Sequence, residues 1–283
     1  MPYIGVRGVE HYYEWMPETA PSGYKPVLVF LHGWAGSARY WRSTASALCD
    51  RFDCLLYDMR GFGRSRLPEQ TSLDYELETY ADDLALFLET MGLDLVFLNA
   101  HSMGASVATL FLNRYPERSE RAILTCSGIF EYDEKAFSAF HKFGKLVVQF
   151  RPNWLAAIPG MDRMFMARFL KREIPAEERR AFLKDFLMAD YEAALGTIYT
   201  SVSRKAAEVM PGEFARLTVP TLLVAGEFDR IIPAAMGRQA VEKNETKSID
   251  YVVLRNTAHF PMLEDAPTYL KVVREFLLSG SDN

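Results

Sequence analysis

Short apolar runs alternate along this chain with segments of helical period, and the alternation is interrupted only once. The runs are 27–32, 53–58, 95–101 and 121–127, then 221–227 and 248–254. Helical segments lie between and after them, near 40–49, 74–91, 103–115, 234–243 and 265–278. In the second of these, Leu77, Leu84, Leu88 and Met91 recur at helical spacing. Such alternation demands a mainly parallel sheet with helices on both faces, joined by right-handed crossovers. Two shorter alternating segments, Tyr3–Val9 and His11–Met16, open the chain and read as a hairpin at the sheet edge. Residues 17–26 read as a loop. The expected fold class is therefore α/β, a mainly parallel doubly wound sheet of about eight strands.

The interruption lies between roughly residues 130 and 210, after the run 121–127, the sixth strand when the hairpin is counted. It holds no convincing strand and reads as several helices broken at Pro152, Pro159 and Pro175. It is rich in large apolar groups, among them Phe143, Phe150, Trp154, Met164, Phe165, Phe169, Phe182 and Phe186. The expected division is a core of residues 1–130 and 210–283 with a helical insert of 131–209. Sequence does not separate insert residues that pack together from those that face a ligand.

Bulk composition excludes several classes. The chain has 283 residues, 49% hydrophobic and 24% charged, with a net charge of −5. No long basic run marks a nucleic-acid partner. No apolar stretch reaches the roughly 18 residues of a membrane span. Cys49, Cys54 and Cys126 have no spacing that implies a disulfide framework or a zinc site. No basic segment followed by an apolar run opens the chain, and 279–283 is a polar tail without a lipidation motif, so a cytoplasmic setting is expected. No dinucleotide fingerprint and no histidine–carboxylate cluster with metal spacing is evident, so neither cofactor nor metal is expected.

Three apolar runs end in chemically capable residues. Leu95-Val96-Phe97-Leu98 leads to Ala100-His101-Ser102-Met103-Gly104, a strand, a tight turn with serine at its apex, and a helix. A serine is a poor nucleophile unless the backbone holds it exposed beside a base, which such a turn does. The turn needs small residues two before and two after the serine, and Ala100 and Gly104 meet the need. Leu222-Leu223-Val224-Ala225 leads to Gly226-Glu227-Phe228-Asp229, and Tyr251-Val252-Val253-Leu254 leads to Ala258-His259-Phe260-Pro261. Chemistry in open parallel sheets sits at such strand ends.

Serine, aspartate and histidine in this order and placement resemble the α/β-hydrolase family. Asp58-Met59-Arg60-Gly61-Phe62-Gly63-Arg64-Ser65 resembles that family's loop after the fourth strand, and the likeness spans about residues 4 to 278 outside the insert. The resemblance implies that the insert forms a lid. It implies Ser102 as nucleophile, His259 as the base that takes and returns its proton, and Asp229 as the group that orients His259. The alternative acids, after the sixth strand, are Glu131 and Asp133. The oxyanion donors implied are the backbone N–H groups of Met103 and Trp34, the latter following Val27-Leu28-Val29-Phe30-Leu31-His32-Gly33. Substrate contacts are expected from Trp34, His101, Phe130, Trp154 and Phe260. His32 and His101 read as braces rather than proton carriers, and Ser65 as a loop hydrogen-bonder.

The resemblance implies hydrolysis of a carboxylic ester, thioester or lactone with a mainly apolar acyl group, the substrate being a small molecule. Serine in place of aspartate sets the chain apart from the dehalogenases and epoxide hydrolases of this fold. Met103, where proline iminopeptidases place tryptophan, sets it apart from that group, while carbon–carbon bond hydrolases, which usually carry tryptophan around the catalytic histidine where this chain has Phe260, stay as an alternative. Cofactor-free haloperoxidases, which act as perhydrolases, and triad-bearing receptors remain open. A homodimer through the insert helices or the edge hairpin is also open.

Overall fold

The computed structural model describes residues 2–17, 23–69 and 71–279. Half of the expected 17–26 loop, residues 18–22, and most of the polar tail lie outside these residues. The chain opens with the strands β1 (Tyr3–Val6) and β2 (Val9–Met16), paired antiparallel as the expected edge hairpin. Then come β3 (Val27–Leu31), a short 3-10 turn (Ala38–Trp41), α1 (Arg42–Leu48) and β4 (Asp53–Tyr57). They are followed by α2 (Leu77–Thr90), β5 (Val96–His101), α3 (Met103–Arg114) and β6 (Ser119–Thr125). The sheet runs β1-β2-β4-β3-β5-β6 and then continues with β7 (Thr221–Gly226) and β8 (Ile249–Leu254). Every pairing from β4 onward is parallel.

Strand side chains alternate between two cores, as the period of two requires. Val29, Leu31, Leu55, Leu98, Leu124 and Leu223 pack with α2 and α3 on one face. Leu28, Phe30, Leu56, Ile123, Leu222 and Val224 face the opposite core with Leu48. Between β6 and β7 lie α4 (Glu134–Gln149), a 3-10 turn (Asn153–Ala157), α5 (Met161–Met166), α6 (Ala176–Met188), α7 (Tyr191–Ser201) and α8 (Arg204–Ala215). After β7 come α9 (Ala234–Lys243), α10 (Pro261–Glu264) and α11 (Ala266–Leu278). Tyr269, Val273 and Leu277 of α11 complete the second core.

The expected elements are present with shifted ends. The sixth strand ends at Thr125 because Cys126 takes φ 52°, which turns the chain out of the sheet. The helix expected from 74 starts at Leu77, because the Asp74 carboxylate accepts from the Glu76 N–H and the Thr79 hydroxyl in a turn before it. The core boundary expected at 209/210 falls inside α8. That helix packs on α3 and α9, with Met210 and Phe214 in the first core. Among the described residues no helix is long and apolar enough to cross a membrane.

Candidate active site

The ends of β3, β5, β7 and β8 bring the expected residues to one edge of the sheet. β3 and β5 are neighbours, with Leu31 opposite Ala100, so the His32-Gly33-Trp34 loop lies beside Ser102. A Cβ placed on Gly33 would stand 3.1 Å from the Ser102 Cβ. Ser102 takes φ 54° and ψ −121°, a conformation worth roughly 1–3 kcal/mol of strain for a residue with a side chain. Its N–H donates to the Thr125 carbonyl at 2.9 Å and its carbonyl accepts from the Ala105 N–H at 2.9 Å, which pins the turn from both sides. Gly104 is required by a close backbone approach. A Cβ there would lie 2.4 Å from the His32 carbonyl oxygen, so the close approach is between α3 and the end of β3.

Ser102 Oγ lies 3.1 Å from His259 Nε2, and His259 Nδ1 lies 2.8 Å from Asp229 Oδ2. The other Asp229 oxygen accepts from the Ile231 and Ile232 N–H groups at 2.7 and 3.1 Å. Burial alone would raise this carboxyl. The adjoining His259 and the two N–H bonds outweigh it and hold Asp229 below the usual carboxylate value. Asp229 is not the cap of α9, whose N-cap is Pro233. The alternative acids are elsewhere: Glu131 meets Gln239 on the surface, and Asp133 caps α4.

A buried hydrogen-bond chain braces these loops. The Gly33 N–H donates to the Tyr40 hydroxyl. The Tyr40 O–H donates to His101 Nδ1 at 2.9 Å, and His101 Nε2–H donates to the His259 carbonyl at 2.7 Å. A carbonyl only accepts, which fixes the neutral His101 tautomer. Burial, with His259 adding, pushes the His101 imidazole well below its ordinary value. His32 is also committed: Nδ1–H donates to the Gly33 carbonyl and Nε2 accepts from the Met59 N–H. Ser65 donates to the Asp58 carbonyl and accepts from the Tyr12 N–H.

Glu264 was missed by sequence reasoning. One carboxylate oxygen accepts from the Ala258 N–H at 2.8 Å and the Phe260 N–H at 3.3 Å, which flank His259. The other accepts from the Lys171 and Arg172 N–H groups of the insert at 2.7 and 2.8 Å. The insert touches the histidine again where the His259 N–H donates to the Phe169 carbonyl at 2.9 Å. The only signal available was a glutamate five residues after His259. Tyr40 gave no signal.

The expected substrate-contacting set divides. Trp34 faces the insert: its indole N–H donates to the Ala194 carbonyl at 2.9 Å and its ring lies against Phe186. His101 and Phe260 are 1% exposed, packed against Tyr40 and each other, so they are braces rather than open walls. Trp154 is 57% exposed and meets Phe150 on the outer face of the insert. Phe130 is half-buried between β6 and α4. The aromatic groups that do gather over the site are Phe165, Phe169, Phe182 and Phe186, with Phe169 6.0 Å from the His259 ring.

One trio with metal-binding atoms, His101, Cys126 and His259, lies within 4.8 Å. Its atoms are committed, because Cys126 Sγ–H donates to the Ala258 carbonyl and burial pushes its thiol pKa well up. Both histidines are held as described above. The arrangement suits proton transfer from a hydroxyl to an imidazole oriented by a carboxylate.

The description of the alpha/beta hydrolase fold matches residues 26–266, so the chain belongs to this family. A proline iminopeptidase of Saccharolobus solfataricus is 26% identical over 97% of this chain and 91% of its own. A pimeloyl-acyl-carrier-protein methyl ester esterase of Aeromonas hydrophila is 24% identical over 90% of this chain and 96% of its own. In fold, the chain is similar to an esterase from Exiguobacterium antarcticum, with a TM-score of 0.79 at 20% identity over 98% of this chain and 99% of that one.

Proposed function

We propose that the protein hydrolyses carboxylic esters, thioesters or lactones of small, mainly apolar acyl groups through an acyl-Ser102 intermediate. The observation that carries this reading is the 3.1 Å contact of Ser102 Oγ with His259 Nε2, with Asp229 held at the other ring nitrogen. Ser102 Oγ attacks the carbonyl carbon while its proton passes to His259 Nε2. Asp229 keeps Nδ1 protonated and stabilises the imidazolium. The carbonyl electron pair moves onto oxygen, where two N–H donors lower the barrier. Met103 supplies one from the first turn of α3, and Trp34 supplies the other from the loop beside Ser102. Collapse breaks the bond to the leaving oxygen or sulfur, which takes the proton from His259. Water then gives its proton to His259 and attacks the acyl carbon; the bond from that carbon to Ser102 Oγ breaks, Oγ takes the proton back from His259, and the acid and free Ser102 are released.

The insert serves as a lid in this reading. Trp34, Phe165, Phe169 and Phe186 supply an apolar wall, which favours an acyl chain over a polar group. The esterase relative named above favours ester chemistry. The iminopeptidase relative makes an N-terminal prolyl amide the second candidate, and Met103 in place of tryptophan weighs against it. A p-nitrophenyl ester series from acetate to long acyl chains, run beside proline p-nitroanilide, tests the reading. Turnover of the esters, lost in Ser102→Ala, supports it. Turnover of the anilide alone, or esterase activity that survives in Ser102→Ala, contradicts it.

A further inference from the structure

Helix α4 has a second apolar face that the fold does not use. Phe137, Gly144 and Val148 are its buried residues, with Gly144 against Ile198 of α7. At spacings of three, three and four, Phe140, Phe143, Leu146 and Phe150 form a separate stripe on and just beyond the helix. They are 40%, 60%, 65% and 68% exposed, and Trp154 and Met164 beyond them are 57% and 66% exposed. Large aromatic side chains left in water at this density mark a contact surface.

The charge around the stripe identifies the partner. The segment from Glu134 to Met164 contains five Lys and Arg and two acidic residues, Glu134 and Asp162, a balance of +3 in a chain whose total is −5. Arg163 and Arg172 pair with Glu173 and Asp265, and Lys135, Lys142 and Lys145 have no carboxylate partner among the described residues. These three lysines fall on the face of α4 that borders the stripe. Lys142 and Lys145 also line, with Arg204 and Glu134, an open hollow of about 310 Å³. A helix with Phe and Leu on one face and Lys on its border, followed by an exposed Trp, has the pattern of an interfacial element. A twofold dimer would set this patch against itself and oppose the two sets of cations.

We propose that α4 and the segment through Met164 dock the protein on an anionic lipid surface, with the stripe in the acyl boundary and the lysines at the headgroups. The docking does not depend on the reading of Ser102, and Ser102→Ala would bind equally well.

Co-sedimentation with vesicles tests it, comparing phosphatidylcholine alone with equimolar phosphatidylcholine and phosphatidylserine. The intact protein is expected to bind the mixed vesicles at low salt, to dissociate at high salt, and to bind phosphatidylcholine weakly. A blue shift of tryptophan emission on binding is expected to be lost in Trp154→Phe. Lys142→Gln with Lys145→Gln is expected to weaken binding roughly 25-fold, about fivefold per charge. Phe143→Ser with Phe150→Ser is expected to weaken it on the order of 100-fold. Both double variants change exposed side chains and are expected to keep the wild-type melting temperature and soluble-ester activity. No binding to the mixed vesicles overturns the proposal. So does binding unaffected by either pair of substitutions, or a concentration-dependent dimer, abolished by Phe143→Ser with Phe150→Ser, in a protein that ignores vesicles.

Discussion

His101 donates its Nε2–H to the carbonyl oxygen of His259 across 2.7 Å, so the strand end before Ser102 and the loop that carries the imidazole are tied by one buried bond. Tyr40 extends the tie to Gly33, next to the loop N–H assigned to the oxyanion. Three loops from distant parts of the chain are thus held in register by two buried side chains.

Tyr40→Phe leaves the Gly33 N–H and His101 Nδ1 without partners in a dry interior, at about 1–3 kcal/mol for each stranded group. A displaced loop misplaces the oxyanion donor. We expect kcat to fall about 10- to 100-fold with KM little changed. Steady-state kinetics beside thermal unfolding checks this, and a variant with lowered stability but wild-type kcat would restrict Tyr40 to a packing role.

Glu264 holds four backbone N–H groups, two beside His259 and two in the insert. In Glu264→Gln the amide NH₂ must face one of these pairs. We expect kcat to fall about tenfold and KM to rise, because both the imidazole and the insert lose their anchor. A purely structural role would lower the melting temperature and leave both kinetic constants in place.

His11 is buried against Tyr57. Burial lowers its pKa from 6.5 to about 4. Between these values the unfolded chain binds the proton and the folded chain does not. The stability from this group is therefore complete above pH 6.5 and lost as pH falls toward 4, in total by ~3 kcal/mol. Relative to wild type, His11→Phe is expected to gain about that much between pH 7 and pH 4. Urea unfolding of both proteins across this window measures it, and parallel pH profiles would contradict it.

Gly104→Ala sets a methyl group 2.4 Å from the His32 carbonyl oxygen. The backbone of α3 must move away from β3, at about 1–3 kcal/mol. Because Ser102 and Met103 sit at that helix start, activity is expected to fall more steeply than stability. Equal losses in kcat/KM and in the fraction folded at the assay temperature would refute the close-approach argument.

The alternation of apolar runs and helical segments was legible because buried parallel strands and amphipathic helices differ in period. The placement of Ser102, Asp229 and His259 past strand ends was legible because each lies within five residues of such a run. The end of the insert was not, since α8 looks like any insert helix until Phe214 is seen in the core. Nor was the pocket. Aromatic composition does not distinguish Trp154 on the outer face from Phe169 beside His259. Glu264 stood in view five residues after His259, but its partners Lys171 and Arg172 lie more than ninety residues away, and only the fold joins them.

In the proposed mechanism Ser102 is the group acylated during turnover. Intact-mass spectrometry after fluorophosphonate treatment, followed by peptide mapping, measures this directly. The account predicts one adduct per chain, located on Ser102, formed in step with loss of esterase activity and absent from Ser102→Ala. An adduct on another serine, or a fully labelled Ser102 in a protein that still turns over esters, would contradict it.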